Sequence, residues 1–273
     1  MKEKKGSAGK RAGRKLADIL LTMLLLVCLI AAGCAVYYIV TTLADYRASD
    51  KAYESVTELA VSVVEVTEIT YETSDDDEEE ASAYVCPLEV DFEALWAVNP
   101  DVVAWLYIPA TETSYPVLQG DTNDEYIHTT IEGSTALAGS IFMESANSYD
   151  FSDANTIIYG HSMKNGSMFG KLKYFLNSGA YDICSYFWII TPDASYRYEI
   201  FSIYQTESTS DTYTLFENPG ELFTTWCRKM LSQDTIVGGD FGFTEDSKVV
   251  TLSTCAAATG TGRRIIQGVR VED

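Results

Sequence analysis

The chain has 273 residues, 47% of them hydrophobic and 12% aromatic, with a formal net charge of −21 at pH 7. That composition belongs to a globular protein with a real core, and the length allows one large or two small domains. The charge is polarised: residues 1–16 hold seven Lys/Arg against Glu3 alone, whereas from Ala44 onward 12 basic residues face 38 acidic ones, which argues against nucleic-acid binding by the body.

Residues 19–43 carry no charge, and about 20 apolar residues suffice to cross a bilayer. The Lys/Arg cluster before them predicts a cytoplasmic N-terminus and an extracytoplasmic remainder. A cleaved signal peptide would have a shorter apolar region. Cys34 follows Ala31-Ala32-Gly33 as in a lipoprotein cleavage site, but apolar sequence continues through Val40, so an anchor explains the segment better. The organisation expected is a basic tail (1–16), a transmembrane anchor (17–43), a stalk with an acidic linker (44–87) and a folded domain (88–273).

In the stalk, Tyr53, Val56, Leu59, Ala60 and Val63 keep helical spacing, so a helix is expected to continue past the anchor. Residues 64–71 are rich in β-branched types and ambiguous. Asp75 to Glu80 are six adjacent acids that repel one another and cannot pack. They lack the ligand and glycine spacing of a calcium loop.

The folded domain is expected to begin near Pro87. Asp91 can cap a short helix with Phe92, Leu95 and Trp96 on one face, ended by Asn99-Pro100. Strand-like runs follow at 105–108, 116–118, 140–143, 156–159, 187–191, 196–204, 248–253 and 265–271, separated by turn residues. Many short strands predict a barrel or sandwich. One helical pattern interrupts them at 217–231, where Leu222, Phe223, Trp226, Met230 and Leu231 share a face.

Three side chains at strand ends form an acyl-transfer set. Lys248-Val249-Val250-Thr251-Leu252-Ser253-Thr254-Cys255 delivers a cysteine to the end of a β-branched run. A Gly-containing connection leads to Arg263-Arg264 and the last run, so the two runs read as antiparallel neighbours. Thr156-Ile157-Ile158-Tyr159-Gly160-His161 delivers a histidine in the same manner. The cysteine thiolate is a nucleophile favoured by a nearby Arg or protonated His, and histidine is the usual general acid/base. The plain alternatives are a buried structural cysteine and a loop histidine bonded to backbone. Adjacent strand residues face opposite sides, so only one of Arg263 and Arg264 can face Cys255. Ser253, two residues before Cys255, shares its face.

Thr251-Leu252-Ser253-Thr254-Cys255 with Arg264 nine residues on, and Ile157-Ile158-Tyr159-Gly160-His161 before it, resemble the sortases, membrane-anchored cysteine transpeptidases of Gram-positive bacteria. Asn99-Pro100-Asp101-Val102-Val103-Ala104-Trp105, Tyr115-Pro116-Val117-Leu118-Gln119-Gly120, Ala138-Gly139-Ser140-Ile141-Phe142 and the run from His161 to Phe169 resemble class B in particular. The resemblance covers about Asp91 to Val271. It implies a mainly β fold, a closed eight-stranded sortase β-barrel with peripheral helices, one of them between the sixth and seventh strands.

The resemblance also implies roles. Cys255 is the nucleophile, His161 the general acid/base, and Arg264 the oxyanion stabiliser, because Arg264 and Arg270 reproduce the family's six-residue spacing. Arg263 is then a solvated surface residue. Ser253, Asn123 and Ile127 fall where the family binds the sorting signal. His128 matches no family catalytic position. The reaction implied is cleavage of a C-terminal sorting motif (NPxTN- or LPxTG-like) after Thr, with transfer to an amine of a peptidoglycan precursor or a pilin lysine. No cofactor is expected, and two histidines without ligand spacing argue against zinc. A hydrolytic cysteine peptidase and a catalytically silent surface-binding protein on the same scaffold are the alternatives. Cys86, Cys184 and Cys227 are expected to be free or buried thiols.

Overall fold

The computed structural model describes the backbone of residues 5–64, 85–217, 219–234, 236–255 and 262–271, and the side chains of these from residue 18 onward, Cys255 excepted. The chain divides into two units, Met1–Arg47 and Ala48–Asp273. Helix α1 (Lys5–Ala60) begins in the first. It is the one helix among the described residues long and apolar enough to cross a membrane. Its apolar side chains in that stretch, Leu20, Leu24 and Ile30 among them, are exposed.

The last turns of α1, in the stretch expected as a stalk, pack within the second unit. Tyr53, Val56 and Ala60 are buried in the second unit. The Tyr53 hydroxyl donates to Gly139 O at 2.7 Å and lies 2.8 Å from Ser140 Oγ, and its ring meets Tyr115 edge-on. The Asp50 carboxylate accepts from Asn165 Nδ2 at 3.0 Å. The helical stripe read from the sequence is therefore a packing face, and residues 48–60 belong to the folded domain. Strands β1 (Val61–Val63) and β2 (Leu88–Val90) pair antiparallel beside it. The acidic run at 75–80 and residues 65–71 lie outside the described residues.

Asp91 caps α2 (Phe92–Val98) by accepting from Ala94 N at 2.9 Å. Phe92 and Leu95 are buried as expected, but Trp96 is 41% exposed because its indole N–H turns to Val102 O at 2.8 Å.

Eight strands then close a barrel: β3 (Val102–Ile108), β4 (Thr113–Leu118), β5 (Ile141–Met143), β6 (Asn155–Gly160), β7 (Tyr186–Ile190), β8 (Ser195–Glu207), β9 (Val249–Cys255) and β10 (Gly262–Val271). Their order around the barrel is β10-β8-β7-β3-β4-β5-β6-β9. Two pairings are parallel, β4 with β5 and β6 with β9. Short helices α3 (Lys173–Asn177) and α4 (Ala180–Ile183) precede β7.

Helix α5 (Glu221–Gln233) connects β8 to β9. Phe223, Trp226, Cys227 and Met230 recur at i, i+3, i+4 and i+7, an apolar stripe of helical period. They pack on Phe201, Tyr204, Phe243, Val249 and Ile265, so the helix clamps the strands that lead to and from Cys255. Cys86, Cys184 and Cys227 are free thiols.

Candidate active site

The site is assembled by strand register. In the parallel pair β6·β9, Tyr159 is opposite Ser253 and Gly160 opposite Thr254. The next residues are His161 and Cys255, so both chemistry-bearing residues leave adjacent strands at one level, about 5 Å apart in backbone. In the antiparallel pair β9·β10, Arg263 is opposite Cys255 and Arg264 opposite Thr254. The thiol itself lies outside the described residues.

That register bears on the choice between the two arginines. Residues directly opposite in an antiparallel pair share a face. In the backbone register Arg263 therefore shares the face of Cys255, and the Arg264 guanidinium donates to Ser162 Oγ at 3.0 Å. Alternation separates the pair as the sequence requires, and Arg263 is the member opposite Cys255 in the register.

A cavity of about 220 Å³ opens at these strand ends. Asn123, Ile127, His161 and Ser253 line it, as does Arg263, with Phe142, Tyr159 and Thr254 completing the wall. Arg264 is not among the described residues that line it.

His161 is held from several sides. Its Nε2 lies 2.9 Å from Ile127 O. A carbonyl only accepts, so Nε2 carries a hydrogen and Nδ1 is the nitrogen left to exchange a proton. Its carbonyl accepts from Phe169 N at 3.0 Å. The exposed imidazole of His128 stacks on its ring, centroids 5.4 Å apart and planes 10° from parallel. Gly160, just before it, has no room for a side chain: a Cβ there would lie 2.4 Å from Ile141 Cδ1 and 2.8 Å from the Phe169 ring.

A sequence model of the sortase domain matches residues 106–271. Sortase B of Listeria monocytogenes is 38% identical over 181 residues, which are 64% of this chain and 71% of that protein.

The chain belongs to the class B sortases.

Among solved structures, a sortase B from Bacillus anthracis superposes with a TM-score of 0.67 at 28% identity, covering 85% of this chain and 100% of that one. A class B sortase of Streptococcus pyogenes involved in pilus biogenesis has a TM-score of 0.59 at 30% identity, covering 66% of this chain and 97% of that one. As a class B sortase the protein is a cysteine transpeptidase, and its closed eight-stranded barrel is the fold of that family.

This sortase has a polar support that the sequence did not announce. Glu144 accepts from Asn123 Nδ2 (2.7 Å) and from the Tyr159 hydroxyl (2.9 Å). Asn123 Oδ1 accepts from Ser145 N at 2.8 Å, so the Asn123 amide has one orientation. Burial, reinforced by the Glu144 charge, pushes the Tyr159 phenol upward. Tyr213 stacks on Tyr159, and its hydroxyl lies 2.8 Å from Ser253 Oγ. Tyr159 was legible in principle, because it sits two residues before His161 on a strand and so shares its side. Glu144 and Tyr213 carry no local signal.

Proposed function

We propose that Cys255, His161 and Arg263 are the reacting set of this sortase, with Arg263 in the role that spacing alone gives to Arg264. The observation that carries this is the double register, which sets His161 level with Cys255 on one side and Arg263 opposite it on the other.

The thiolate of Cys255 attacks the carbonyl carbon of the motif Thr. The peptide C–N bond breaks as His161 Nδ1 gives its proton to the departing amine. The Thr is then held as a thioester. An incoming amine attacks the thioester carbon, loses a proton to His161, and the C–S bond breaks to return the thiolate. Arg263, permanently charged and planar, donates to the developing oxyanion or to substrate carbonyls. Asn123, Ile127 and Ser253 receive the motif. Glu144 and Tyr213 hold two of these three.

The substrate is a surface protein with a C-terminal NPxTN- or LPxTG-like signal, and the acceptor a peptidoglycan-precursor amine or a pilin lysine. The cleavage half-reaction is that of a thiol peptidase. The uncharged stretch 19–43 of α1 and the basic residues before it support a membrane anchor with a cytoplasmic N-terminus and an extracytoplasmic catalytic domain. The test is a panel of quenched peptides bearing both motif types, run with full-length enzyme in detergent and with Cys255→Ala, with and without an amine. Cysteine-dependent cleavage after Thr with amine capture is the expected product pattern. Cleavage indifferent to the amine indicates a hydrolase, and retained cleavage in Cys255→Ala removes the proposal.

A further inference from the structure

We infer that His128 is a positioning residue for transpeptidation, acting through His161; this rests on the reading of His161 as the general acid. The two rings lie nearly parallel, 10° apart, with centroids separated by 5.4 Å. That is the offset face-to-face arrangement aromatic pairs prefer.

A single hydrogen bond fixes one point of a ring. The contact from His161 Nε2 to Ile127 O leaves the imidazole free to swing about that line, and Nδ1 swings with it. A flat neighbour against the ring face removes that freedom. The plane of His161, and with it the direction of Nδ1, is then set by His128. Misdirection of about 1 Å at a reacting atom costs as much as 100-fold in rate.

His128 is mounted to do this. Its carbonyl accepts from Ala136 N at 2.9 Å, and Ser140 N donates to Tyr126 O at 3.0 Å. Thr129 and Thr135 form a bridge beyond it. Gly139 closes the same turn at φ 55°, where a Cβ would lie 2.1 Å from Ile127 O. The loop thus presents the Ile127 carbonyl and the His128 ring as one rigid surface. His128 is exposed and is not among the described residues lining the cavity, so it touches His161 rather than the space for substrate. The flat ring is what the geometry uses, and its ability to titrate is not required.

The test uses full-length enzyme in detergent, with His128→Ala and His128→Phe compared by steady-state kinetics on a cleaved peptide with amine acceptor. The expected result is a kcat about tenfold lower in His128→Ala with KM unchanged, and recovery of most of it in His128→Phe. Wild-type kcat in the Ala variant overturns the inference, as does equal loss in both variants or a loss confined to KM. The chain has only two histidines, so histidine ring labelling gives an NMR spectrum of these two residues alone. A ring-to-ring contact signal in the wild type, and a shifted and averaged His161 signal in His128→Ala but not in His128→Phe, are expected. Absence of the ring-to-ring signal overturns the stack directly. A His161→Ala control separates the two claims: retained activity there removes His161 from the chemistry, whereas the NMR result still reports on the stack.

Discussion

Arg263 stands opposite Cys255 in the register of β9 and β10, and Arg264 stands opposite Thr254. Arg263→Ala is expected to lower kcat/KM by about 10²–10³-fold, the scale of losing one oxyanion donor. Arg264→Ala is expected to cost less, because its guanidinium supports Ser162. Lysine at 263 should not restore the rate, since a point charge lacks the planar fork. Kinetics of the three variants decide this; a larger loss at 264 than at 263 would falsify the assignment.

Tyr53 ties α1 to the barrel. Tyr53→Phe leaves Gly139 O and Ser140 Oγ without that partner and should cost about 1–3 kcal/mol. Tyr53→Ala should cost about 3–5 kcal/mol through the cavity it opens. A soluble fragment starting at Ala48 should accordingly resist urea better than one starting at Pro87. Equal midpoints for the two fragments would show that the helix contributes nothing to the fold.

Burial pushes the Tyr53 phenol and the Cys227 thiol each up to about 12, from ordinary values of 10.0 and 9.0. In both the fold holds the neutral, protonated form. The folded state therefore binds more protons than the unfolded state above pH 9, and stability falls as pH rises from 9 to 12. Urea unfolding at about pH 8 and about pH 11 measures the drop, and Tyr53→Phe should make it shallower. The same thiol shift predicts that a thiol reagent at neutral pH spares Cys227 in the native protein; rapid native labelling of Cys227 would contradict this.

Gly160→Ala should destabilise by about 1–3 kcal/mol, because its Cβ must displace Ile141 or Phe169. The displacement falls one residue before His161, so kcat should drop by more than the loss of folded protein explains. Activity per folded molecule, with folded fraction taken from circular dichroism, is the measurement.

The strands were readable because β-branched runs broken by turn residues have few other uses, and the residues at their ends, His161 and Cys255, were readable for the same reason. Barrel closure was not, since it depends on parallel pairings between distant runs that no local pattern marks. The choice between the two arginines turns on a different point. A one-residue slip of register exchanges the two faces of a strand, and the register of β10 is set by pairing rather than by side-chain type. The stripe of Tyr53, Val56 and Ala60 announced a helix but not the surface it covers. Glu144 and Tyr213 act across the fold on residues far away in sequence, so nothing beside them could disclose it.

The parallel pairing of β6 with β9 also bears on when the protein becomes reactive. β7, β8 and α5 lie between these two strands in sequence, so their pairing is a long-range contact that forms only after a large loop is closed. Until then His161 and Arg263 are not beside Cys255, and on the proposed assignment the thiol lacks the neighbours that would activate it. On the proposed assignment, an incompletely folded chain is thus its own zymogen: topology withholds the nucleophile until the barrel is closed.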